Sequence, residues 1–158
     1  MPKTVLAASF LTVAMFAATL MGLARHPERP PAHSKPLFEG APIDERTLML
    51  FQRSCQDCHS ENTQWPWYSW IPPMSWMIKK DVEEARRQVD FSNWDSYRPD
   101  EKADLLTRIG VAARTDQMPP PRYTLLHREA VLAPPERQEI YEWSRAERKR
   151  NKNADRPR

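Results

Sequence analysis

The sequence predicts an all-α domain, and three observations carry that expectation. Apolar residues recur at steps of three and four in several separate stretches. No run of alternating or β-branched residues reads as a strand. Sixteen prolines, most of them between residues 27 and 135, divide the chain into short segments, which suits helices joined by extended loops.

Taken in order, residues 1–24 are expected to be a membrane anchor or a signal peptide. After Met-Pro-Lys the chain runs from Thr4 to Ala24 without a charge, and as a helix this length reaches roughly 30 Å, enough to cross a bilayer core. Gly22-Leu23-Ala24 also offers small residues suited to cleavage. Both readings deliver the remainder outside the cytoplasm, to the periplasmic side of an inner membrane if anchored or to the periplasm if cleaved. Residues 25–43 are proline-rich and read as an extended linker.

The domain itself is expected over residues 44–147. Asp44 is placed to cap a first helix whose apolar face, Leu48, Phe51 and Cys55, leads to the cysteine pair. Residues 61–75 hold Trp65, Trp67, Tyr68, Trp70 and three prolines, which favours an irregular apolar loop. Ser75 is placed to cap a second helix reaching about Val89, with Ile78, Val82, Ala85 and Val89 on one stripe. Pro99 and Asp100 open a third, carrying Ala103, Leu106 and Ile109 and ending before Gln117. Pro134 and Pro135 open a fourth, with Ile140 and Trp143 on its buried side. Residues 148–158 lack large apolar side chains and read as a basic disordered tail.

Composition excludes several function classes. The excess of positive charge is concentrated at the end, where residues 145–158 carry seven Lys or Arg against two acids. The body is mildly acidic, so nucleic acid is not an expected partner. Three glycines in the whole chain leave no phosphate cradle or dinucleotide turn.

Cys55-Gln56-Asp57-Cys58-His59 is the sharp chemical motif. Two thiols three residues apart on a helical turn are spaced to add to the two vinyl groups on one porphyrin edge, with the next imidazole over the iron. The predicted cofactor is one covalent haem c, with Cys55 and Cys58 as anchors and His59 as a metal ligand. The rival readings are a dithiol redox site, which expects a βαβ context, an accidental motif in a disulfide-bonded exported domain, which leaves the aromatic loop unexplained, and structural zinc. The remaining histidines, His26, His33 and His127, lack the paired spacing that completes a zinc site. For the second axial position Met118 is preferred, since Pro119, Pro120 and Pro121 hold a soft thioether on a stiff extended loop. Met74, Met77 and His127 are the alternatives.

The stretch from Cys55 through Trp65-Pro66-Trp67-Tyr68-Ser69, followed by Ile71-Pro72-Pro73, Ser75-Trp76, Phe91-Ser92 and Trp94, resembles the haem-binding domain family of single-haem c-type cytochromes. Met118-Pro119-Pro120 with Tyr123 resembles its second block. The resemblance spans about residues 48–145. It implies that Cys55 and Cys58 carry the thioethers, that His59 and Met118 are the axial ligands, and that the aromatic residues Trp65, Trp67, Tyr68 and Trp76 wall the haem pocket. Ala85, where glycine is expected, and Arg128, where proline is expected, depart from the pattern.

The expected architecture is therefore a small cytochrome-c-like bundle of about four helices around haem c. The expected function is one-electron transfer to a redox partner protein, with no substrate bond made or broken and hence no enzymatic activity. The alternative is a haem-based sensor or peroxidase-like domain, in which the distal position opens to a small ligand.

Overall fold

A computed structural model describes residues 11–17, 19–21 and 35–154. Among these the regular structure is entirely helical. Residues 11–17 and 19–21 are helical, but most of the expected anchor or signal segment lies outside the described residues, as does the linker before residue 35. No helix among the described residues is long and apolar enough to cross a membrane.

The first domain helix, α1 (Glu45–Ser54), begins where expected, with the Asp44 carboxylate accepting the Thr47 N–H at 2.9 Å. The one-turn helix α2 (Gln56–His59) follows directly. A 3₁₀ turn (Trp67–Trp70) interrupts the aromatic loop. The next helix, α3 (Met74–Gln88), starts one residue before Ser75, and Pro73 occupies its N-cap without a side-chain bond. Val82 is the buried residue of its apolar stripe, and Ile78, Val82 and Ala85 all line a cavity. A second 3₁₀ segment (Phe91–Ser96) leads to α4 (Pro99–Arg114), then α5 (Pro121–Thr124), a third 3₁₀ turn (Arg128–Ala130) and α6 (Pro134–Ala154).

The helices α4 and α6 pack antiparallel. Gly110 makes their approach close, since a Cβ there would stand 3.1 Å from Ser144 Cβ and 3.3 Å from Tyr141. Arg114 lies over the Tyr141 ring at 4.6 Å, and Arg137 pairs with Asp116 at 2.5 Å. This partnership carries α6 further than composition predicts. Residues 148–154 are helical, which corrects the expectation of disorder there, and residues 155–158 lie outside the described residues. Glu147 is buried against the bundle and engages both Asn151 and Arg150, which holds the last turns.

The domain boundary also moves. Leu37 and Phe38, assigned to the linker, are core residues. The Phe38 ring sits within 4.5–5.1 Å of Phe51, Phe91, Trp94 and Trp143, and its N–H donates to the Phe91 carbonyl at 3.0 Å. Phe38 adopts a left-handed backbone (φ 56°), a costly conformation for a bulky residue that burial of the whole ring offsets. Leu50, Phe51, Leu105, Leu106, Leu132 and Ile140 complete the core beneath α2.

Candidate cofactor site

The Phe51 carbonyl accepts the Cys55 N–H at 2.9 Å, and the Cys55 carbonyl accepts the His59 N–H at 3.0 Å. These bonds wind α2 tightly enough to turn Cys55, Cys58 and His59 toward one cavity of about 250 Å³. Its walls come from α3, the aromatic loop and the Met118 loop, and include Ile78, Val82, Trp65, Tyr68, Met118 and Tyr123. A smaller cavity of about 100 Å³ adjoins it, with Cys55, His59, Gln88 and Met118 lining both.

His59 is oriented by main-chain carbonyls. Its Nδ1 lies 3.1 Å from the Ala85 carbonyl and 3.2 Å from that of Val89. Carbonyls only accept, so Nδ1 carries the proton and the Nε2 lone pair is left for a ligand. Burial pushes the pKa of His59 down, which favours the neutral ring that binds a metal. Phe91 stacks on the imidazole with centroids 5.4 Å apart. Burial likewise pushes the Cys55 thiol up to about 12 and the Cys58 thiol up to about 11.

Met118 is delivered by the stop of α4. The Asp116 N–H donates to Ala113 and the Gln117 N–H to Ala112, at 3.2 and 2.9 Å, with Asp116 left-handed at φ 61°. This is a Schellman stop with aspartate where glycine is usual. The helix thus ends well before Pro119, and Met118 is turned back to line both cavities. Met74 and Met77 line only the larger of the two.

The structure brings Trp65 and Tyr68 to the cavity but not Trp67 or Trp76, which are 74% and 55% exposed. Trp67 packs edge-on against the Tyr68 ring, centroids 5.8 Å apart, without lining the cavity. Trp76 falls on the α3 face opposite Met74, Ile78 and Ala85. Their expected role as pocket walls is therefore corrected.

Two residues that the sequence reading left without a role tie the site together. Asp57, between the cysteines, accepts the Tyr123 O–H at 2.9 Å and the Gln64 N–H at 2.9 Å. The Asp57–Tyr123 bond links the cysteine turn to the loop after Met118. Tyr123 stacks on His127 at 4.3 Å, and His127 engages the Tyr68 hydroxyl through Nε2 at 2.5 Å and Glu129 through Nδ1 at 3.1 Å. His127 is thus a loop fastener at the cavity edge. The appearance of Tyr123 beside Met118-Pro119-Pro120 was the available signal; Asp57, lying off any apolar stripe, gave none.

The residues present fit a haem. Two thiols, an imidazole with a free Nε2 and a thioether converge on mostly apolar space. Among the described residues no cluster of three or more His, Cys, Asp or Glu is placed to hold a bare metal ion.

Comparison with known proteins agrees with this fit. The chain is 28% identical over 98 residues to the cytochrome c peroxidase Ccp of Escherichia coli (strain K12), a match covering 60% of this chain and 21% of that protein. The chain therefore spans about a fifth of that relative's length. No solved structure matches. The profile of the haem-binding domain matches residues 13–146, most of the chain. By that match, and with a cavity whose donors suit haem, the chain belongs to the haem-binding domain family.

Proposed function

We propose that this chain is a mono-haem c-type cytochrome that transfers single electrons, with Cys55 and Cys58 as thioether anchors and His59 and Met118 as axial ligands. One observation carries the reading: both thiols and the imidazole face one apolar cavity, while Met118 and His59 line the same two adjoining spaces. When bound, the haem supplies an iron that cycles between ferric and ferrous states.

The chain's own residues do the rest. Ala85 and Val89 hold the His59 proton on Nδ1, Phe91 fixes the plane of the ring, and the α4 stop presents the Met118 thioether. The Asp57–Tyr123 bond keeps the Met118 loop closed on the cysteine turn, and the apolar walls exclude water. A dithiol redox role is disfavoured, because buried thiols with raised pKa values supply little thiolate. The domain is read as acting outside the cytoplasm, held at a membrane by residues 1–24 or released from them, and passing electrons to a protein partner without chemistry on a substrate.

A second reading, binding of a small ligand or peroxide at the distal position, is favoured by the 37% exposure of Met118 and by the similarity to a peroxidase. One experiment addresses both. The full chain is produced with a cytochrome c maturation system, stained for haem after denaturing electrophoresis, and examined by oxidised and reduced absorbance. Haem that stays with the polypeptide and a weak far-red band lost in Met118→Ala support the electron carrier. The same band lost in Met74→Ala instead moves the distal ligand, and its absence from the wild type favours ligand binding. Wild-type protein without haem, in cells that mature other cytochromes, refutes the proposal.

A further inference from the structure

Haem carries two carboxylates on the pyrroles away from its vinyl edge, and a carboxylate in apolar surroundings is costly without a counter-charge. Two arginines line the cavities. Arg122 lines the larger one and is committed to Asp81 at 3.0 Å. Both Cys55 and Cys58 line that same cavity. Arg108 lines the smaller cavity, which Cys55 reaches but Cys58 does not. Its neighbours there include Phe51, Val89, Phe91, Leu105, Ile109 and Ile140, and it has no hydrogen-bond or ion-pair partner among the described residues. Gln88, which also lines both cavities, already donates to Glu84 at 3.2 Å.

We propose that Arg108 is the binding partner of a haem carboxylate at the rim of the smaller cavity. The assignment rests on the haem reading above. An unpaired guanidinium at the exposed end of an apolar space suits a carboxylate that keeps one side in water, and its planar fork allows two parallel N–H donations. The position of Arg108 on α4, two turns before the stop that presents Met118, puts this clamp and the distal ligand on one rigid element. Neutralising the carboxylate removes negative charge from beside the iron and disfavours the more positive oxidised form.

The test uses the full chain matured with haem, as wild type, Arg108→Gln and Arg108→Lys, with Lys102→Gln as a control on the same helix. Resonance Raman reads the carboxylate bending band directly, and spectroelectrochemistry reads the potential. The expected result is a shifted band and a lowered potential in Arg108→Gln, partial return of both in Arg108→Lys, and little change in the control. Covalent haem with the same band and potential in Arg108→Gln as in wild type overturns the assignment alone. Wild-type protein that carries no covalent haem overturns the assignment together with the reading beneath it.

Discussion

Replacing Tyr123 by Phe isolates one hydrogen bond at the centre of the site. The ring that stacks on His127 at 4.3 Å is kept, and Asp57 retains the Gln64 N–H at 2.9 Å. Only the O–H donated to Asp57 at 2.9 Å is lost. A hydrogen bond to a charged group contributes about 1.5–3 kcal/mol. Tyr123 is half-buried and water can reach the vacated carboxylate oxygen, so the low end applies, about 1.5 kcal/mol. With an unfolding entropy of about 2.1 cal/mol/K per residue over roughly 120 residues, the expected fall in Tm is about 6 °C. Thermal unfolding followed by far-UV circular dichroism measures it on wild type, Tyr123→Phe, Asp57→Ala and the double variant, all prepared alike. The cycle should return a coupling of about 1 kcal/mol or more between the two positions. A Tm within about 2 °C of wild type, with no coupling, would mean that stacking and the prolines hold this loop, and the account of Asp57 as its anchor would fall.

Three further outcomes follow from the same geometry. Burial, then the adjacent Asp57, pushes the Tyr123 pKa above its ordinary value. The stability this contributes is complete below about pH 10 and is lost as pH rises beyond it, so Tyr123→Phe should lose less stability than wild type in urea titrations between about pH 9.5 and 11.5. Equal alkaline losses would contradict the shift. Gly110→Val drives a branched side chain into Ser144 and Tyr141 and should cost about 1–3 kcal/mol, read as a lower urea midpoint at unchanged m; a neutral result would show that α4 and α6 separate freely. Asp116→Val places a β-branched residue in the left-handed stop of α4 and removes its pairing with Arg137, for an expected loss of about 2 kcal/mol. Because that stop presents Met118, the far-red band of the matured protein should weaken as well, and an unaltered band would separate the stop from the ligand.

Residues whose role is set by near neighbours were legible in the chain. Asp44 caps α1, Pro99 and Pro134 open α4 and α6, and the cysteine-histidine segment winds into a helical turn. Each of these depends on bonds spanning a few residues, which sequence order reports directly. Tertiary structure decided the rest. Whether Trp67 or Tyr68 enters the cavity depends on how one 3₁₀ turn sits against the Met118 loop, and Trp76 is outward only because α3 turns its other face to the site. Phe38 reads as linker until Phe51, Phe91, Trp94 and Trp143 surround it. Residues 148–154 read as a solvated tail until packing of α6 on α4 supplies the stability that local propensity lacks. Asp57 meets Tyr123 across 66 positions of chain, and Arg108 acquires a meaning only beside a cavity built from distant segments. Contacts of this kind leave no local periodicity, because the free energy that selects them comes from burial shared among elements far apart in sequence.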